Sequence, residues 1–138
     1  MSIMFLRTNI TARVVQSAFI ASRGPVRFNS YYSKIIKLKQ LEEFQNSIKK
    51  NSKKLAVVYF YATWCGPCKA MAPHLSKFVK EYPEVSCYKV DVDENPEIAK
   101  QCEVTAMPTF VFAKDGEILG KVVGADPNGL EKAIIEYK

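Results

Sequence analysis

The 138-residue sequence predicts an α/β fold: a central mixed sheet of about five strands, flanked by about four helices lying on both of its faces. Three observations carry that reading. A continuous apolar, β-branched and aromatic run, Leu55–Ala62, has strand length and leads straight into Trp64-Cys65-Gly66-Pro67-Cys68. An amphipathic helical pattern follows that segment, and strand-like and helix-like stretches then alternate. The alternation ends in two strand-like runs joined by Lys114-Asp115-Gly116, a strong hairpin signal that makes the sheet mixed.

Taken in order, Ile35 to Leu38 reads as a first strand. Leu41 to Lys50 reads as a helix with Leu41, Phe44 and Ile48 on one face. Leu55 to Ala62 is apolar on both sides, as a buried central strand requires. From Lys69 to Tyr82, Met71, Leu75, Phe78, Val79 and Tyr82 recur at helical spacing, with Lys69, Lys77, Lys80 and Glu81 between them. Pro73 falls inside this pattern, where a proline costs ~3 kcal/mol and kinks a helix. Cys87 to Val92 is another strand, and Glu97 to Cys102 a short helix behind Pro96. Thr109 to Phe112 and Glu117 to Val122 form the hairpin. Asp126 is placed to cap a last helix that begins at Pro127 and turns Leu130, Ala133 and Ile134 inward.

The chemistry lies in the two cysteines spaced one helical turn apart. A thiolate attacks disulfides, and a helix N-terminus lowers a thiol pKa through its unpaired N–H groups and macrodipole. Cys65 falls at that N-terminus and is read as the nucleophile. Cys68, three residues on, shares its helix face and is read as the resolving thiol that attacks the mixed disulfide. Pro67 suits a first helical turn, and Gly66 allows a second backbone to approach closely. Strand, CxxC and amphipathic helix form the context such a motif needs.

These residues resemble thioredoxin, from about Ile35 to the C-terminus. The active-site segment is Phe60-Tyr61-Ala62-Thr63-Trp64-Cys65-Gly66-Pro67-Cys68-Lys69. Asp91-Val92-Asp93-Glu94-Asn95-Pro96 resembles the link after the third strand, Met107-Pro108-Thr109-Phe110 the proline loop, and Val123-Gly124-Ala125 the glycine loop. The resemblance implies a redox-active disulfide between Cys65 and Cys68 and a cis bond before Pro108. It also implies a substrate groove shaped by Met107, Pro108 and Gly124, and a partly exposed Trp64 beside the dithiol. A peptide could pair there with the Met107 backbone edge as an added strand. The implied activity is reduction of disulfides in other proteins, with re-reduction by an NADPH-dependent thioredoxin reductase and clients such as peroxiredoxins. The domain itself would bind no cofactor or metal and act as a monomer.

One position departs from that pattern. Tyr59, six residues before Cys65, stands where thioredoxins typically carry a buried aspartate that helps move the proton of the second cysteine. Lys89 occupies the position that usually neighbours it, and is expected to snorkel to water or lie over the Tyr59 ring. A phenol with pKa ~10 is no general base near neutral pH, so deprotonation of Cys68 is expected to rely on water or on the mixed disulfide's own surroundings. Tyrosine also packs a sheet, and both roles can hold at once.

Residues 1–30 differ in kind from residues 31–138, which have the size of one domain. They hold all four arginines, Arg7, Arg13, Arg23 and Arg27, no acidic residue, and hydroxyls at Ser2, Thr8, Thr11, Ser17, Ser22 and Ser30. That is the composition of a mitochondrial transit peptide, and Leu6, Ile10 and Val14 could line one face of an amphipathic helix. Arg27-Phe28-Asn29-Ser30 resembles a matrix-processing site, with a mature start near Ser30 or Tyr31. A secretory signal fits less well, because Arg13, Gln16, Ser17 and Arg23 interrupt the apolar stretch. No stretch there reaches the ~18 apolar residues of a membrane anchor. The net charge of +6 belongs mostly to this extension: beyond it, 16 lysines against 14 acids leave +2. No basic run with interleaved aromatics points to nucleic acid.

The remaining candidates have plain structural explanations. A zinc site needs a second CxxC or a histidine pair, whereas Cys87 and Cys102 are isolated and read as small buried apolar residues, with modification of Cys102 the alternative. His74, the lone histidine, has no partners at ligand spacing. Two other functions stay open from the sequence. An oxidant or isomerase would share the motif, although Gly-Pro between the cysteines resembles reducing members. A non-enzymatic interaction or assembly module would share the fold, with its chemistry impaired by Tyr59.

Overall fold

Residue patterning along the chain accounts for nine elements in the computed structural model, which describes residues 34–50 and 53–138. They are β1 (Ile36–Lys37), α1 (Leu41–Lys50), β2 (Ala56–Tyr61), α2 (Gly66–Glu81), β3 (Ser86–Asp91), α3 (Pro96–Gln101), β4 (Thr109–Lys114), β5 (Glu117–Val123) and α4 (Pro127–Tyr137). The expected transit peptide and its amphipathic face lie outside the described residues.

The five strands form one sheet in the order β1-β3-β2-β4-β5. β1, β3 and β2 run parallel, while β4 is antiparallel to both β2 and β5. The hairpin signal is met by Asp115 and Gly116 at φ 56° and 82°, the paired positive values of the two-residue turn that matches strand twist. The turn is also tied inward, since Gly116 N–H donates to the Ile48 carbonyl at 3.1 Å.

β2 lies in the middle of the sheet, and its alternating side chains build two cores. Val57 and Tyr59 pack with Met71, Leu75 and Phe78 of α2 and with Leu130 and Ile134 of α4. Ala56, Val58 and Phe60 face the other way, toward Phe44 and Ile48 of α1 and Ile98 of α3. This two-sided cover explains why the strand reads as an uninterrupted apolar run. Phe44, Phe60, Phe110 and Phe112 are fully buried, each contributing roughly 1.5–3 kcal/mol of transfer free energy.

Several boundaries differ from the sequence reading. β1 is only two residues long, although Ile35 and Leu38 on either side are buried, and Leu38 N–H still donates to the Lys89 carbonyl at 2.9 Å. α2, by contrast, begins at Gly66 as the N-terminus read at Cys65 and the first-turn Pro67 require, three residues before the apolar periodicity. The helix continues through Pro73 to Glu81. β4 runs two residues past Phe112. At α4 the expected cap is present: the Asp126 carboxylate accepts from Gly129 N–H at 2.9 Å, and Leu130, Ala133 and Ile134 are buried.

Candidate active site

β2 delivers the chain to the carboxyl end of the sheet, and a short turn through Ala62, Thr63 and Trp64 feeds it into α2. Cys65 N–H closes that turn on the Ala62 carbonyl at 3.2 Å. Cys65 is the N-cap of α2, in extended geometry, and its sulfur accepts from the Cys68 N–H at 3.2 Å. A sulfur takes the place that a serine or aspartate oxygen fills at an ordinary cap. Cys65 and Cys68 are joined by a disulfide across the first turn, with their Cα atoms 5.3 Å apart.

Around this pair the sequence-matched loops converge. β4 is antiparallel to β2, with Thr109 opposite Phe60, so Met107 and Pro108 enter the sheet at the end where β2 leaves it. The Met107–Pro108 bond is cis, as the resemblance implied, and Met107 packs against the core cluster that contains Cys65 and Cys68. Gly124, at φ +98°, donates its N–H to the Pro108 carbonyl at 2.8 Å. That bond joins the glycine and proline loops, and the left-handed backbone explains the glycine. At Gly66 a Cβ would meet no atom of the described residues within 4 Å, so none of their backbone makes the close approach that the glycine allows. The space above Gly66 is open.

Trp64 is 68 % exposed, and its indole N–H donates to Asp93 Oδ2 at 2.9 Å. The Asp93 N–H in turn donates to Asp91 Oδ1 at 3.0 Å. Asp93 lies in a segment the sequence reading had matched, but its hold on Trp64 was not foreseen; an acidic residue in the loop after β3 was the available signal.

Tyr59 is buried beneath the helix, its ring stacked at 5.4 Å on Tyr61 and 5.1 Å on Phe110. Its hydroxyl donates to the Cys68 carbonyl at 2.9 Å, a contact that the sequence reading missed. Lys89 sits beside it in register on β3. Partial burial, and then the neighbouring Lys37, push the Lys89 ammonium below its ordinary pKa. A shallow pocket opens between β2 and α2, lined by Tyr59, Tyr61, Ala62, Thr63, Cys68, Lys69 and Ala72.

The other candidates stand apart. Cys87 and Cys102 are free and buried, and burial pushes their thiols up to about 12 and about 11 respectively. They match the reading as small apolar residues. His74 is exposed on α2, and among the described residues no cluster of three or more His, Cys, Asp or Glu could hold a metal ion.

A disulfide closed by the first turn of a helix, at the end of a central strand and facing a cis-proline loop, defines a thiol–disulfide redox protein. Comparison with known proteins makes this specific. The thioredoxin family profile matches residues 35–136. Thioredoxin-3, mitochondrial, from Saccharomyces cerevisiae is 60% identical over 109 residues, covering 79% of this chain and 84% of that protein. Thioredoxin-1 of the same yeast is 47% identical over 100 residues, covering 72% and 95%. The crystal structure of oxidised mitochondrial thioredoxin 3 from Saccharomyces cerevisiae superposes with a TM-score of 0.73 at 57% identity, covering 77% of this chain and 98% of that one. A structure concerned with the thiol-resolving mechanism of a yeast mitochondrial 1-Cys peroxiredoxin via glutathione/thioredoxin systems aligns equally well, with a TM-score of 0.73 and 57% identity over 76% of this chain and 97% of that one. The chain belongs to the thioredoxin family, and its function is dithiol–disulfide exchange at Cys65 and Cys68. The likeness to Thioredoxin-3 supports a mitochondrial location.

Proposed function

We propose that this protein reduces disulfides in client proteins, with Cys65 as the attacking thiol and Cys68 as the resolving one. The observation that carries this reading is the Cys68 N–H aimed at Cys65 Sγ from the first turn of α2. The same N–H and helix dipole would hold a thiolate at Cys65 in the reduced protein. Cys65 thiolate attacks one sulfur of a client disulfide, and the other client sulfur leaves as a thiolate. Cys68, having lost its proton, attacks Cys65 Sγ; the Cys65–Cys68 bond forms, the client's second sulfur leaves, and the client has gained two electrons.

Trp64, Met107, Pro108 and Gly124 form the surface on which a client peptide lies, and the open space above Gly66 admits its sulfur. Pro67 holds the first turn. A thioredoxin reductase returns the two electrons, drawing them from NADPH, and peroxiredoxins are among the clients. Residues 1–30 direct the chain to the mitochondrial matrix and are removed, leaving a monomeric domain from about residue 31.

The test is turnover of insulin disulfides by the purified protein with NADPH and a matched mitochondrial thioredoxin reductase. NADPH consumption should fall to background in Cys65→Ser and in Cys68→Ser, and Cys68→Ser should accumulate a mixed disulfide. A folded protein without turnover would instead point to an interaction module. The mass of the protein recovered from mitochondria would test the cut near residue 30.

A further inference from the structure

The Cys68 residue is held from beneath. The Tyr59 hydroxyl donates to its carbonyl at 2.9 Å, a bond from the central strand to the first turn of α2. Tyr59 is buried and its ring is stacked against Tyr61 and Phe110, so the donor has a fixed direction. Its one proton is committed to the carbonyl.

Next to this bond lies the pocket lined by Tyr59, Tyr61, Thr63, Cys68 and Lys69 among others, and among the described residues its lining contains no carboxylate. Among the described residues, the titratable and charged groups on this side come from β1, β2, β3 and α2. β2 supplies Tyr59 and Tyr61, α2 supplies Cys65 and Lys69, and β3 supplies Lys89 and Asp91, which pair in register with Tyr59 and Tyr61, while Lys37 of β1 lies beside Lys89 and acts on Tyr61 and Asp91. Asp91 Oδ1 accepts from the Asp93 N–H at 3.0 Å and thereby shapes the loop that holds Trp64. β4 and α4 contribute Phe110, Leu130 and Ile134, which have nothing to titrate.

We propose that Tyr59 is a positioning residue for Cys68, and that the proton Cys68 gives up on resolving a mixed disulfide passes to water in this pocket rather than to a side chain. The proposal rests on the reading of Cys68 as the resolving thiol. In the step, the Cys68 thiol protonates a pocket water, and the thiolate forms its bond to Cys65 Sγ as the Cys65–client bond breaks. The client thiolate leaves with the electron pair of the broken bond and takes a proton from solvent. The Tyr59 bond keeps the first turn in place, so that Cys68 Sγ stays within reach of Cys65.

The experiment is stopped-flow reaction of the fully reduced protein with a chromogenic aromatic disulfide between pH 5.5 and 9. The first release of aromatic thiol reports mixed-disulfide formation, and the second reports resolution. The expected result is a second phase whose rate rises about tenfold per pH unit without levelling off below pH 7, as loss of a proton to solvent requires. It should be unchanged by added imidazole at constant pH and ionic strength, because the proton is lost in an equilibrium with solvent before the sulfur attacks. Tyr59→Phe keeps the ring and loses the bond, and should slow resolution about fivefold, more than formation, as loss of one hydrogen bond would. Tyr59→Asp should add a shoulder in the carboxylate range and speed the second phase below pH 7. A second phase of the unaltered protein that levels off below pH 7 would overturn the proposal, and loss of that plateau in Asp91→Asn would name Asp91 as the base. A Tyr59→Phe profile superimposable on the parent's would overturn the positioning role. Absence of the first phase would overturn the reading of Cys65 beneath it, and is visible before resolution is measured. The pH and imidazole series need no variant, so the proton route stands or falls even where a substitution disturbs folding.

Discussion

Cys65 and Cys68 on one side, and Cys87 and Cys102 on the other, are equally hidden: their exposures are 4%, 2%, 8% and 3%. Burial therefore does not separate the redox pair from the inert pair. Position on the backbone does. Cys65 is the N-cap of α2, where helix N–H groups favour a thiolate, and Cys68 lies one turn along the same helix. Cys102 is the C-cap of α3, the helix end that disfavours negative charge, and Cys87 sits within β3 with no helix end to help it. Lys121 beside Cys102 pulls its thiol back down, but less than burial raises it. The same side chain is a reagent at one helix end and a small apolar filler elsewhere.

The strongest way to break this contrast is thiol labelling of the reduced, native protein. At pH 7 a thiol raised to about 12 is only about 10⁻⁵ thiolate, whereas an ordinary thiol of pKa about 8.5 is about 3% thiolate. Cys65 should react with iodoacetamide at least ~10³-fold faster than Cys87 on that ratio alone. Peptide mapping by mass spectrometry after graded exposure would read both rates. Comparable labelling of Cys87 or Cys102 would show that these positions open, and would revive modification of Cys102.

That contrast also marks what could be read from the sequence. The chemistry of the pair was legible because both cysteines lie within four residues and the capping turn is local. The hairpin at Asp115-Gly116 and the Asp126 cap were legible for the same reason. The bond from Tyr59 to the Cys68 carbonyl was not, because it joins a strand to a helix and depends on how α2 lies over β2. The cis bond before Pro108 came from family resemblance alone, since the local residues do not force it. The start of α2 was legible from Cys65 and Pro67, although the apolar periodicity begins only behind them. The room that Gly66 leaves for a second backbone was legible, but that no described residue fills it was not.

A second test sharpens the contrast from the side of stability. Burial raises the folded-state thiol of Cys87 from 9.0 to about 12. A group raised on folding adds stability that is complete below its unfolded pKa and is lost as pH climbs through the folded value. The window is therefore about pH 9 to 12, and the unfolding free energy should fall there by up to about 1.4 kcal/mol per pH unit from this thiol. Denaturant melts of the parent and Cys87→Ala at pH 8, 9.5 and 10.5 would isolate the contribution, because lysines and tyrosines titrate alike in both. The variant should start lower, by the cavity it creates, and lose stability with a shallower slope. Parallel slopes would mean that Cys87 meets water in the native state.

The smallest expected effect lies at the rim of the redox pair, where Trp64 is pinned by Asp93. Asp93→Ala removes the acceptor and frees an indole that is already 68 % exposed. An exposed hydrogen bond is worth about 0.5–1.5 kcal/mol net, and only the part that orders Trp64 against a client would reach turnover. KM for a protein disulfide should therefore rise about two- to threefold on that scale, with kcat little changed. Labelling of Cys65 should be unaltered, because the N–H groups of α2 act on the sulfur whichever way the indole points. A larger fall, or one in kcat, would mean that Trp64 orders the reacting sulfurs themselves, and the contrast between the two cysteine pairs would then depend on this exposed ring as well as on the helix end beneath it.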